Sequence, residues 1–209
     1  MQAYIGLYLH GFLSSGNSEK GQWLKQVVNQ QNLDDENLVL KELLTPTYPI
    51  KSSLASVDKI ESLLKEILKD QTKKVVLLGS SMGGYYAQYL GQKHQLPYIM
   101  INPALNPTPI FNESLGCHTN PVTQEDFCID QNYIQELQGF DVKQLDGEIP
   151  ALLLIDTDDE VIDVDYALKR YEADPNGSHF STVMYSGGNH RFIHMQQAWL
   201  EINKFLKAL

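Results

Sequence analysis

Short apolar runs and longer segments of helical period take turns along the chain, which predicts a parallel sheet covered by helices on both faces. Ala3 to Leu9 reads as a first strand, followed by the turn His10-Gly11-Phe12. Ser18 reads as the N-cap of a helix over Glu19 to Gln31, with Trp23, Leu24, Val27 and Val28 as its buried stripe. Leu38 to Leu43 is a second strand, after which Thr45-Pro46-Thr47-Tyr48-Pro49 breaks the chain. Ser53 to Lys69 carries Leu54, Val57, Ile60, Leu64, Ile67 and Leu68 on one face, the strongest amphipathic pattern in the sequence. Lys74 to Leu78 is a continuously apolar run of the kind buried on both faces of a sheet, and a helix over Gly84 to Lys93 follows it. Further strands are expected at 98–101, 151–156 and 182–185, and further helices at 164–171 and 195–206.

Between Leu105 and Gly147 the regularity fails. Prolines at 107, 109 and 121, both cysteines and scattered acids predict an irregular excursion with one or two short helices. No repeat or low-complexity linker interrupts the pattern, and 209 residues suit one buried core. The expectation is a single α/β domain over 1–209, a three-layer fold with a mainly parallel sheet of about six strands, in which 105–147 is a lid-like insertion. That insertion follows a strand's carboxyl end, where open α/β sheets bind ligands.

Charge narrows the partners. The formal net charge of −10, from 26 acids against 16 bases, disfavours nucleic acid and anionic membranes, both of which call for a basic face. No apolar run approaches the ~20 residues needed to span a bilayer, and the start MQAYIGLYLHGF lacks the features of a signal peptide. Cys117 and Cys128 are too few for a disulfide framework. The expectation is therefore a cytoplasmic protein with free thiols, a disulfide being expected only in an exported chain.

Chemistry enters at Gly79-Ser80-Ser81-Met82-Gly83, which matches G-x-S-x-G centred on Ser81. The apolar run before it and the helix after it are the context that a nucleophile elbow needs, whereas phosphate-loop and dinucleotide patterns do not fit the glycine spacing. A serine hydroxyl needs a base, and in this topology the base lies between the last strand and the last helix, where His190 stands in Gly187-Gly188-Asn189-His190. His194, four residues on, could pair with it as metal ligands do, but no third ligand has suitable spacing, so no metal is expected. The base needs an acid, and Asp156-Thr157-Asp158-Asp159-Glu160 follows the preceding strand. Asp159 is the first choice because Val161-Ile162 can pack that loop down, and Asp158 is the second. The Met82 amide and the Phe12 amide are the expected oxyanion donors, with His10 bracing their loop.

These stretches resemble the α/β-hydrolases, and more narrowly the small bacterial YqiA/YcfP-type esterase family. The resemblance rests on Tyr8-Leu9-His10-Gly11-Phe12-Leu13-Ser14-Ser15, on Gly79 to Ala87, on Ile101-Asn102-Pro103-Ala104, on Asp159-Glu160-Val161 and on Gly188-Asn189-His190-Arg191-Phe192. It covers essentially the whole length and implies a compact hydrolase core. It also implies Asp159 as the acid, directly before Glu-Val, although Asp158 stands where the family usually has glycine. The expected activity is hydrolysis of carboxylic esters or thioesters by Ser81, His190 and Asp159, with no cofactor. An acyltransferase or lactonase would use the same triad, and a silent binding module the same fold. His10, Gly11, Tyr85, Asn102 and Phe192 are the expected pocket residues, and the aromatics of the excursion favour an apolar acyl group. The oligomeric state is left open.

Overall fold

The computed structural model describes residues 3–34, 39–172 and 179–209. In chain order the elements are β1 (Tyr4–Leu9), α1 (Glu19–Asp34), β2 (Leu40–Leu44), α2 (Ser53–Leu68), β3 (Lys74–Ser80), α3 (Met82–His94), β4 (Tyr98–Ile101), α4 (Pro107–Asn112), β5 (Gly116–Thr119), β6 (Asp126–Ile129), α5 (Gln131–Gln138), β7 (Ala151–Asp156), α6 (Val164–Arg170), β8 (Phe180–Tyr185) and α7 (Met195–Ala208). Six strands form one sheet in the order β2-β1-β3-β4-β7-β8, every neighbouring pair parallel.

Alternation within the strands sorts side chains between two cores. Leu7, Leu9, Val75, Leu77 and Leu153 face α2, α3 and α6, while Tyr8, Val76, Leu78, Leu152 and Leu154 face α1 and α7. Helices on both faces explain why β7 is buried from end to end, and why β3 and β7 read as unbroken apolar runs. Local chemistry sets several helix starts: Ser52 accepts from the Ala55 amide at 3.1 Å, and Asp130 from that of Tyr133 at 2.9 Å.

The parallel register brings all the strand ends that matter to one edge. Leu9 pairs with Gly79, Ser80 with Ile101, and Asp156 with Tyr185. The loops that leave β1, β3, β4, β7 and β8 therefore meet above the carboxyl ends of the sheet.

Two expectations need correction. Leu54 stays 49% exposed because the buried face of α2 runs through Ser53, Val57, Ile60 and Leu64 instead. The excursion contains, besides helices α4 and α5, an antiparallel hairpin β5–β6 in which Cys117 stands directly opposite Cys128. That pairing brings the two sulfurs within bonding reach, and they form a disulfide rather than free thiols. Leu38, the expected start of the second strand, lies outside the described residues. Among the described residues no helix is long and apolar enough to cross a membrane.

Candidate active site

Ser81 stands between β3 and α3 at φ 55°, ψ −122°, a conformation that non-glycine residues rarely adopt. The crossing is held shut by the Ser81 amide, which donates to the Ile101 carbonyl at 3.1 Å, and by the Ser81 carbonyl, which accepts from Gly84 and Ala104. The two glycines of the motif are demanded by space. A Cβ on Gly79 would lie 2.0 Å from the Gly83 carbonyl oxygen, and one on Gly83 would lie 2.0 Å from that of Leu9. Strand, elbow and helix thus cross too closely for any side chain there, and the Ser81 hydroxyl is left at the apex.

The β8–α7 loop carries His190 back across the sheet. Its Nε2 lies 2.9 Å from Ser81 Oγ, and its Nδ1 lies 2.8 Å and 3.1 Å from the two carboxylate oxygens of Asp159. The Asp159 side chain is fully buried and accepts the Val161 and Ile162 amides at 2.8 Å and 3.2 Å, so it reaches His190 already oriented. Asp158 is exposed and takes a hydrogen bond from Thr157 Oγ1 at 3.1 Å instead. Of the two acids open in the sequence, Asp159 is the one the loop turns toward His190.

On the other side of Ser81, the register of β1 with β3 sets His10-Gly11-Phe12 beside the elbow. Among the described residues, neither the Phe12 nor the Met82 backbone N–H donates to a protein acceptor. His10 lies beneath this turn, fully buried and stacked on Tyr48 with ring centroids 3.9 Å apart. Its Nδ1 donates to the Gly11 carbonyl at 2.9 Å and its Nε2 accepts the Tyr48 amide at 3.4 Å. Burial lowers its pKa from 6.5 to about 4, so the ring is a neutral brace at ordinary pH.

With this geometry in hand, the chain can be set beside known proteins. The profile of the uncharacterised protein family UPF0227 matches residues 5–207. The chain belongs to that family. One member, the UPF0227 protein VP0969 of Vibrio parahaemolyticus serotype O3:K6, is 24% identical over 205 residues, which is 95% of this chain and 97% of that one. Among solved structures, Est1E from Butyrivibrio proteoclasticus superposes with a TM-score of 0.73 at 12% identity, covering 99% of this chain and 88% of that one. A monoacylglycerol lipase of Paleococcus ferrophilus gives 0.71 at 12% identity, over 97% and 93%. At such identities the likeness establishes the fold, which is that of the α/β-hydrolases.

In this UPF0227 protein two cavities meet at Ser81, and Phe12, Ser81 and His190 border both. The smaller, about 180 Å3, is walled by Met82, Ala104, Ile110, Phe111, Ser114 and Val161. The larger, about 920 Å3, is a groove of mixed lining that runs past Ser14, Asn17, Glu19, Lys20 and Arg191 and also past Trp23, Val122 and Ile193, with buried Phe192 in its wall. Three expected pocket residues are elsewhere, among them His10, which lies buried beneath the turn and lines neither cavity. Tyr85 points away from both cavities, its hydroxyl 2.7 Å from the Leu137 carbonyl and from Asp141, because α3 turns that face toward α5. Asn102 is fully buried and acts as a tie: its Nδ2 donates to the Asn189 carbonyl at 2.9 Å, and its Oδ1 accepts the Asp156 amide at 2.8 Å.

That tie exposes residues the sequence reading passes over. Asp156, fully buried at the end of β7, accepts His194 Nδ1 at 2.7 Å and the amides of Ile193 and Asn189 at 3.0 Å and 3.3 Å. A Cβ on Gly188 would lie 2.0 Å from its Oδ2, so glycine is needed for the loop to close over this carboxylate. His190 and His194 therefore turn to separate carboxylates, each with its own buried aspartate. The one signal available in sequence was an acid at the very end of an apolar strand.

Proposed function

We propose that this protein is a serine hydrolase that cleaves carboxylic esters or thioesters through an acyl-enzyme. The observation that carries the reading is the continuous chain from Ser81 Oγ through His190 to buried Asp159, at 2.9 Å and 2.8 Å. Ser81 Oγ attacks the acyl carbon while His190 Nε2 takes its proton. The proton passes to the leaving oxygen or sulfur as its bond to the acyl carbon breaks. His190 then takes a proton from water, whose oxygen attacks the same carbon, and the acid departs as Ser81 regains its proton. Asp159 keeps the Nδ1–H tautomer and stabilises the imidazolium. The unspent Phe12 and Met82 amides receive the oxyanion, a role worth about two to three powers of ten for each donor.

Both amides border the smaller cavity, so the acyl chain enters there. Its volume of about 180 Å3 suits a short acyl chain. The segment 105–147 acts as the cover of this cavity through Ile110, Phe111 and Ser114, while Phe127 packs edge-on against Phe12. The monoacylglycerol lipase among the structural neighbours is in keeping with ester chemistry.

The reading is tested by hydrolysis of p-nitrophenyl butyrate. The wild-type protein turns it over, and His190→Ala lowers kcat by about a thousandfold. Full activity in His190→Ala would remove His190 from the mechanism.

A further inference from the structure

Resting on that reading, we propose that the larger groove is the leaving-group subsite and that it selects an alcohol or thiol bearing an anionic substituent, a carboxylate or a phosphate, which Lys20 receives. The leaving atom must face His190 Nε2 to collect its proton, and the groove extends from His190 past Asn189 and Arg191. The groove contains two cations, and they are not equivalent. Arg191 is spent on Glu19 at 3.2 Å, both groups lying more than four-fifths exposed. Lys20 Nζ donates to the carbonyl oxygen of Arg191 at 3.0 Å, and among the described residues no carboxylate lies within 4.0 Å of it.

An ammonium has three donors, and this bond uses one. The remaining two belong to a partly buried cation that makes no ion pair within 4.0 Å, held next to the residue that follows the base. Burial lowers the Lys20 pKa, a cost that outweighs the more distant carboxylates of Glu19, Asp159 and Asp156, which raise it. Its position in the first turn of α1 adds to that cost, since the helix dipole disfavours a cation there. An anion on the leaving group offsets both costs by pairing with Lys20.

The test compares three butyrate esters that differ at one position of the phenol: 3-carbamoylphenyl, 3-carboxyphenyl and 3-phosphonooxyphenyl. Wild-type protein is expected to favour an anionic ester, with a lower KM that rises with added salt while that of the neutral ester does not. The ratio of anionic to neutral kcat/KM is expected to fall about tenfold in Lys20→Met and to return in Lys20→Arg. Preference between the two anionic esters identifies carboxylate or phosphate as the group received. A fall of all three rates by the same factor would overturn the proposal, showing that Lys20 only braces the Arg191 carbonyl. A salt-independent KM for both anionic esters would overturn it without any variant. Failure of the folded wild-type protein to cleave any of the three would overturn the hydrolase reading as well.

Discussion

Asp156 and His194 form a second buried carboxylate–imidazole pair, at 2.7 Å, directly beneath the loop that carries His190. The same carboxylate gathers two amides of that loop, and the His194 ring stacks on Tyr185 with centroids 5.1 Å apart. This pair is a positioning device: it fixes the loop from below while Asp159 fixes the ring from the side.

Removing His194 leaves the buried Asp156 carboxylate with only the Ile193 and Asn189 amides, and the loss of that one hydrogen bond to a charged group costs about 2 kcal/mol. His194→Ala is expected to lose roughly that much stability in urea unfolding, and to lower kcat with little change in KM. His194→Asn, which keeps a donor near the Nδ1 position, should recover most of both. Unchanged kcat in a folded His194→Ala would show that the loop holds its own shape.

The two neighbouring acids offer a sharper contrast. Asp159→Asn is expected to reduce kcat by about a thousand- to ten-thousandfold, since an amide favours the wrong tautomer of His190. Asp158→Asn, which alters an exposed side chain bonded to Thr157, should stay within about twofold. Steady-state kinetics on one ester decides between them.

Acyl preference follows from the walls of the smaller cavity. The wild-type protein should prefer short acyl chains to long ones, in line with the room available. Ile110→Ala removes part of the far wall, and a p-nitrophenyl ester series should show its optimum moving to longer chains. An optimum that does not move would place the acyl group in another cavity.

His10 predicts a pH dependence of stability. Its folded pKa of about 4 lies below the 6.5 of an unconstrained histidine, so on acidification the unfolded chain takes up the proton first. The contribution is therefore whole above pH 6.5 and is lost as pH falls toward 4. Between pH 7 and 4.5 the wild-type protein should lose roughly 2–3 kcal/mol more than His10→Gln, measured by urea unfolding at both values.

Much of this arrangement is written in local patterns. Lys74 to Leu78 announces its strand because helices cover both faces, and Gly79 and Gly83 mark a crossing that excludes side chains. Ser81 and His190 are legible because chain order and element type locate them. Asp159 is less so: five acids lie together in sequence between Asp156 and Asp163, and only the turn closed by the Val161 and Ile162 amides separates it from Asp158. Asn102, Tyr85 and the Asp156–His194 pair depend on contacts between residues far apart in the chain, which no local pattern records. The β5–β6 hairpin has strands of four residues each, β5 exposed throughout and β6 alternating over only two buried positions, too short a pattern to mark a strand.

The central claim is that Ser81 is a nucleophile activated by His190. Intact-protein and peptide mass spectrometry after treatment with a fluorophosphonate tests it most directly. The account predicts one adduct, on Ser81, formed by the wild-type protein and lost in Ser81→Ala and His190→Ala. No adduct on folded wild-type protein, or an adduct that persists in Ser81→Ala, would contradict it.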